Sequence, residues 1–246
     1  MPRYKCIISY DGSGFSGYQV QPNKRTVQSV LESVLTKMHK GEPMKVFASG
    51  RTDAGVHAKG QVVHFDSPLH IPEEKWRRAL NSLLPDDISV LSTVAVDESF
   101  HARFDAKGKE YRYKLHLSSN RDPFLRKFAY QYPYDLDLNS MEQASNFFLG
   151  THDFTSFCAA RTDVEDKVRT IKAIDFSLEN ELLTIRFVGN GFLYNMVRIL
   201  VGTLLEVGSG DRSPEDVPII LEQKDRALAG KTAPGHGLYL WEVYYE

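Results

Sequence analysis

The run GFLYNMVRILVGTLL, Gly191 to Leu205, contains a single charged side chain, Arg198. A helix apolar on nearly every side must be buried. The uninterrupted apolar core of the run, Ile199 to Leu205, is far too short to cross a bilayer. The chain must therefore wrap a soluble core around a helix over Gly191–Val207. That requirement makes Arg198 conspicuous, because an arginine is almost never buried without a partner and an unpaired buried charge costs several kcal/mol. It should meet a carboxylate or a phosphate. The plainer reading is a guanidinium that reaches the surface while its stem packs. An aspartate displayed in a glycine loop would suit it, and Asp53 is the expected partner.

The surrounding elements read as a mixture of strands and helices. Arg3–Tyr10 and Ile88–Val96 are predicted strands. Thr26–Met38 is an amphipathic helix, with Val27, Val30, Leu31, Val34, Leu35 and Met38 at helical spacing and Thr26 as N-cap. Pro72–Leu84 reads as a second helix, with Pro in its first turn. Tyr111–Leu117 alternates: Tyr111, Tyr113, Leu115 and Leu117 on one face, Arg112, Lys114 and His116 on the other. Further on, Asn139–Leu149 is helical and Phe154–Phe157 a short strand. Thr170–Leu178 and Leu182–Val188 form a hairpin around Glu179-Asn180. Ser213-Pro214 opens a helix by cap and proline, and Leu238–Tyr245 closes as a strand. No regular βαβ alternation runs through this order, which favours α+β with a mostly antiparallel sheet. Two related halves are expected, 1–105 and 106–246.

Composition narrows the function. The 246 residues are 42% hydrophobic and 25% charged, ordinary for a soluble protein. The N-terminus MPRYKCIISYDG lacks the apolar region of a signal peptide. Two cysteines, Cys6 and Cys158, make no CxxC and no disulfide framework. The eight histidines fall in no metal-ligand spacing, so no metal is expected. The net charge of −2 conceals an asymmetry: residues 1–127 hold 20 Lys and Arg against 14 Asp and Glu, whereas the remainder holds 10 against 18. A basic half on a near-neutral chain suits a polyanionic ligand.

The stretch SGRTDAGVHAKGQVVHF, Ser49–Phe65, places Arg51 and Asp53 among small residues between two predicted strands. The loop Gly50–Gly60 is too long for a tight hairpin. An aspartate there either bonds its own backbone or is a carboxylate on display. Upstream, GSGFSG (Gly12–Gly17) matches GxGxxG but fails as a dinucleotide fingerprint, because Pro22 intervenes before the helix. Asp53-Ala54-Gly55 loosely matches the Asp-Thr-Gly of aspartic proteases, which need two carboxylates sharing a proton; a dimeric aspartic hydrolase is the alternative on that ground. Tyr111, opening the alternating strand, is either core or a surface for stacking on a base.

Taken together, these blocks closely resemble the TruA family of tRNA pseudouridine synthases. The signature loop is SGRTDAGVHAKGQVVHF. YDGSGFSGYQVQ, NSLLPDDI, FHARFDAKGKEYRY, GTHDFTSFC, GNGFLYNMVRILVGTLLEVG and KTAPGHGLYL follow in family order, over essentially the full length. Tyr18 stands where the family often has Trp, and Gly235-His236 varies the last block. The resemblance implies a pseudouridine-synthase fold of two α+β halves sharing a mostly antiparallel sheet, with the site in a cleft between them. It implies isomerisation of uridine to pseudouridine at positions 38, 39 and 40 of the tRNA anticodon stem-loop. It further implies a cytoplasmic homodimer with tRNA lying across both protomers, and no cofactor. The family nucleophile falls on Asp53, the active-site tyrosine on Tyr111, and the basic partners on Arg51 and Arg198. A catalytically silent RNA-binding protein or tRNA chaperone of the same fold is the competing expectation.

Overall fold

The structure is a computed structural model that describes residues 1–160 and 164–246. It divides into two compact units, Met1–Lys107 with Tyr239–Glu246, and Gly108–Leu238. In the first, β1 (Arg3–Tyr10) is followed by α1 (Val27–Met38), β2 (Phe47–Ala48), β3 (His57–Asp66), α2 (Glu73–Asn81) and β4 (Ile88–Val96). In the second come β5 (Gly108–His116), β6 (Tyr130–Gln131), α3 (Leu138–Asn146), β7 (Gly150–Asp153), β8 (Val168–Glu179), β9 (Leu182–Gly189), α4 (Met196–Gly208) and α5 (Asp216–Gln223). Strand β10 (Leu238–Tyr244) then closes the chain.

The first unit is built on β1. Its even-numbered side chains Tyr4, Cys6, Ile8 and Tyr10 are buried, as period-2 alternation requires of a strand covered on one face. Strand β1 pairs antiparallel with β3 on one side and β4 on the other. Helix α1 brings Leu31 and Leu35 down beside Cys6, Ile8, Val63 and Phe65. Helix α2 brings Trp76 onto the rings of Tyr4 and Phe65, at 5.0 and 5.4 Å. The predicted cap of α1 is present as a reciprocal pair: Thr26 accepts from Ser29 N, and Ser29 Oγ from Thr26 N.

The second unit pairs β5 with β9, β9 with β8 and β8 with β7, all antiparallel, with β6 parallel beside β5. Tyr113, Leu115, Ile185 and Phe187 are fully buried. Helix α4 buries eleven residues, among them Leu200, Val201 and Leu204. Its partner α3 comes so close that a Cβ on Gly208 would lie 2.6 Å from Met141 Sδ. Each unit is thus helices against a mostly antiparallel sheet, and the α+β reading holds.

The structure departs from the sequence reading in four places. Helix α4 begins at Met196 rather than Gly191, because Asn195 takes φ 60° and Asn190 is tied back to Thr170 by two hydrogen bonds of 3.0 Å. Residues 155–157 form a 3-10 turn capped by Asp153, and the strand lies just before it, at β7. Strand β6 has no periodic signal, being two residues long. The second half was expected to run to residue 246; Tyr239–Glu246 instead packs with the first unit, because β10 pairs in parallel with β3 through Tyr239–His57 and Leu240–Ala58.

Candidate active site

Asp53 lies in the connection from β2 to β3, and its loop is held by main-chain bonds together with the buried side chains of Gln61 and Tyr10. Ser49 N donates to Val62 O (2.8 Å), and Val56 N to Asp53 O (3.1 Å). Gln61, fully buried, accepts from Ser49 Oγ (2.7 Å) and donates to Gly50 O (2.8 Å), closing the loop at its base. Thr52 is fixed on both sides. Its carbonyl accepts from Tyr18 N (2.9 Å), and its hydroxyl meets Tyr10 Oη (2.8 Å). Burial pushes the Tyr10 hydroxyl up to about 12, so it stays protonated at neutral pH.

The glycine-rich segment Gly12–Gly17 supplies the backing. A Cβ on Gly12 would lie 2.0 Å from Val56 O, and one on Gly17, at φ +91°, 3.0 Å from Thr52 O. Only glycine allows two backbones to approach so closely. The segment that fails as a nucleotide fingerprint therefore serves as a wall behind Asp53. His57 completes the wall. It is 2% exposed, stacks on Tyr239 at 4.7 Å and accepts from Gly12 N through Nδ1 (3.0 Å). Because Nδ1 accepts that bond, it cannot also donate to Asp11 Oδ1, 3.3 Å away. The contact of Asp11 with Ser13 N (2.9 Å) is the turn-forming one.

Asp53 is half-buried at the surface of this assembly, and Arg51 is exposed. Arg51 makes no hydrogen bond or ion pair among the described residues, so the two share a loop without pairing with each other. Arg25 closes the outer side by a bidentate pair with Asp87 (2.8 and 2.9 Å), its guanidinium 4.0 Å from the Phe15 ring centre.

Tyr111 and Arg198 belong to the second unit. Tyr111 is 8% exposed and meets Phe192 edge to face at 5.2 Å. Arg198 projects from the first turns of α4. Its Nε donates to Ala233 O (2.7 Å) and its Nη1 to Asn195 Oδ1 (2.7 Å), while Ala233 N returns a bond to Arg198 O (3.0 Å). The segment carrying Ala233 is pressed onto α4: a Cβ on Gly202 would lie 1.6 Å from Lys231 O, and Gly230 N donates to Thr203 Oγ1 (2.9 Å). Tyr113 Oη donates to Pro234 O (2.8 Å). Burial raises the Tyr113 hydroxyl against the opposing pull of Arg198. Three separated blocks, YRY, NMVRIL and KTAPGHG, thus meet around one guanidinium.

The sequence reading named Asp53, Arg51, Tyr111 and Arg198 but not the residues that hold them. Asn195 and the Ala233 carbonyl were invisible because their contacts depend on backbone geometry. Gly12, Gly17 and His57 did carry a signal, glycines and a histidine beside a loop of small residues, yet nothing in the spacing says which backbone they touch. Among the described residues, no cluster of three His, Cys, Asp or Glu is arranged to hold a metal ion.

A family model described as tRNA pseudouridine synthase matches residues 6–105 and 144–246. The chain is 59% identical over 244 residues to tRNA pseudouridine synthase A of Geobacillus sp. (strain WCH70), spanning 99% of this chain and 98% of that one. It is 58% identical over 246 residues to tRNA pseudouridine synthase A of Anoxybacillus flavithermus, the full length of both. To tRNA pseudouridine synthase A 1 of Bacillus cereus (strain ATCC 14579) it is 57% identical over 245 residues, 100% and 99% of the two chains. Among solved structures, an archaeal box H/ACA sRNP Nop10–Cbf5 complex aligns at 15% identity and a TM-score of 0.37, over 82% of this chain and 43% of that one. The chain belongs to the tRNA pseudouridine synthase family, and its chemistry is that of an isomerase.

Proposed function

We propose that this protein converts uridine to pseudouridine at positions 38, 39 and 40 of the tRNA anticodon stem-loop, with Asp53 as the nucleophile. The observation that carries the reading is the Asp53 loop, a carboxylate displayed on a backbone that its own unit immobilises. A nucleophile must be held within a fraction of an ångström of its target, and a rigid support does this better than a free loop. Carboxylates near their ordinary pKa of about 3.9 are ionised at neutral pH, so covalent attack needs no general base.

The reaction breaks the bond from ribose C1′ to uracil N1 and makes one from C1′ to C5. The C5 proton leaves and N1 gains a proton. Attack on ribose C1′ and attack on uracil C6 both begin from the same ionised carboxylate. The target uridine sits in a structured stem-loop and must be extruded, at a cost of a few kcal/mol. In this reading Tyr111 packs against the extruded base and limits water, and Arg51 and Arg198 supply positive charge to the substrate. Phosphate contacts from basic surface offset the extrusion cost. The enzyme acts as a cytoplasmic homodimer without a cofactor.

The test is tritium release from tRNA transcripts labelled at uracil C5, with wild type and Asp53→Asn. Wild type should release tritium, and Asp53→Asn should release none while still binding tRNA. Transcripts with single uridines at 38, 39 or 40 locate the sites. Binding without release by wild type would leave a silent RNA-binding protein, and equal release by both proteins would remove Asp53 from its role.

A further inference from the structure

The second unit holds a pocket of about 130 Å³ that none of the residues above accounts for. It lies behind the loop joining β5 to β6, Leu117 to Ala129. Its lining includes Leu125, Ala129, His116 and His236, the two arginines Arg121 and Arg126, and the carboxylate of Asp122. That volume is far above the 10–15 Å³ that admits one water. The loop that forms it is internally bonded. Gln131 Nε2 donates to Ser118 O, Arg126 Nη1 to Pro123 O, and Ala129 N to Leu125 O (2.9 Å). Phe124 N donates to one oxygen of Asp122, Oδ1 (2.7 Å), and Asp122 remains among the residues lining the pocket.

What this loop presents outward is basic and aromatic. Arg121, Arg126 and Lys127 are exposed, and Phe124 is 86% exposed. Arg121 makes no hydrogen bond or ion pair among the described residues. A large aromatic side chain left that open is unusual, and interleaved with cations it is the pattern that binds unstacked nucleotides through base stacking and phosphate contacts. On the pocket wall, His116 Nδ1 lies 3.0 Å from Gln131 Oε1, and since the Gln131 amide nitrogen is donating elsewhere, that oxygen accepts and Nδ1 carries the proton. His116 Nε2 lies 4.0 Å from Glu181 Oε2.

We infer that this pocket and its rim bind one nucleotide of the substrate tRNA other than the target uridine, its phosphate on Arg121 and Arg126 and a neighbouring base on Phe124. The inference rests on the tRNA reading of the previous section and adds to it a second point of grip. Such a contact fixes the register of the RNA and so bears on which uridine is presented.

The experiment is fluorescence anisotropy of a labelled tRNA transcript over a KCl series, on wild type, Arg121→Gln, Arg126→Gln, the double variant, Phe124→Ala, and Arg77→Gln as an exposed arginine elsewhere. Each lost phosphate contact lowers the slope of log K against log salt by about one. The double variant should lose close to two, with roughly tenfold weaker binding at about 0.1 M salt. Phe124→Ala should weaken binding with its slope unchanged, because stacking releases no counterions. Arg77→Gln should match wild type. Wild-type slope and affinity in both arginine variants would overturn the inference, as would equal losses in Arg77→Gln. Thermal melts check folding, and Arg121→Gln alone decides if the double variant unfolds. Tritium release by wild type is scored separately: binding without release refutes the isomerase reading and leaves the pocket standing, whereas release with unaltered arginine variants does the reverse.

Discussion

The two units fix the segments that carry their key charged residues by different contacts. In the first, the backbone of the loop bearing Asp53 is gripped by Tyr18 N on Thr52 O, Val56 N on Asp53 O and Gly12 against Val56 O, with the buried Gln61 and Tyr10 side chains on Gly50 O and the Thr52 hydroxyl. In the second, Arg198 is gripped through its own side chain, by the Ala233 carbonyl and the Asn195 amide oxygen. In the proposed function Asp53 reacts, and a fixed backbone beneath it sets its position. An arginine has five donors, and two of those of Arg198 go to Ala233 O and Asn195 Oδ1. The comparison teaches where substitutions should hurt: at glycines behind Asp53, and at polar side chains beside Arg198.

The largest effects should come from filling the backbone contacts. Gly12→Ala puts a Cβ about 2.0 Å from Val56 O, and Gly202→Ala puts one at 1.6 Å from Lys231 O. Neither obstacle is a side chain that can swing away. Each should cost more than about 3 kcal/mol of stability, beyond the usual range for overpacking, and each should abolish activity in whatever protein still folds. Gly191→Ala is the control, since its nearest neighbour would be 3.8 Å away. Urea denaturation of the three separates them, and a Gly12→Ala protein as stable as wild type would break the account of the loop.

Next come the supports of Arg198. Asn195→Gly keeps a residue that tolerates φ 60° while removing the amide that accepts from Arg198 Nη1. A hydrogen bond to a charged group is worth about 1.5–3 kcal/mol, so kcat/KM should fall roughly tenfold to a hundredfold with little change in folding. Arg198→Lys should do at least as much harm, because an ammonium cannot reproduce the fork. If Asn195→Gly matched wild type in tritium release, the side-chain half of the comparison would fail.

Much of this was legible in the sequence, and the boundary is instructive. Elements set by local periodicity, such as β1, β4 and α1 with its Thr26 cap, stand where the pattern puts them. Asp53 and Arg198 stood out because each breaks its surroundings, one a charge among small residues and the other a charge on an apolar helix. What could not be read depends on contacts distant in sequence. Helix α4 starts late because Asn190 bonds to Thr170, and Gly12 matters because of Val56, 44 residues on. The parallel register of β10 on β3 joins Tyr239 to His57 and Leu240 to Ala58, far apart in the sequence.

A smaller effect separates the units by acid. His64 is buried in the first unit beside His101, Arg3, Asp66 and Asp105, and its Nδ1 accepts from Ala102 N (3.1 Å). Burial, then the charge of His101, lowers its pKa from 6.5 to about 4. Between those values the unfolded chain binds the proton and the folded one does not. Its contribution is therefore full above about pH 6.5 and lost as pH falls towards 4, with a slope of at most about 1.4 kcal/mol per pH unit. Chemical denaturation from pH 7 to 4 should show that slope in wild type and a shallower one in His64→Gln. Equal slopes would assign the acid sensitivity to other groups.

The smallest effect is a gain. Tyr18 is 3% exposed, and its hydroxyl makes no hydrogen bond among the described residues. Burial raises its pKa, with Tyr10 and Glu32 adding to the same direction. Yet the contribution of Tyr18 to the Asp53 loop is its backbone N–H on Thr52 O, and its carbonyl accepts from Gln28 N (2.9 Å). Tyr18→Phe keeps the ring and both backbone bonds while removing a desolvated hydroxyl that costs about 1–3 kcal/mol when unpaired. The variant should be about 1 kcal/mol more stable, a rise of roughly 2–4 °C in Tm for a chain of this size, with unchanged tritium release. A fall in Tm would mean that the hydroxyl is bonded in solution; a fall in activity at constant Tm would mean that the Tyr18 hydroxyl, and not only its backbone, serves the Asp53 loop.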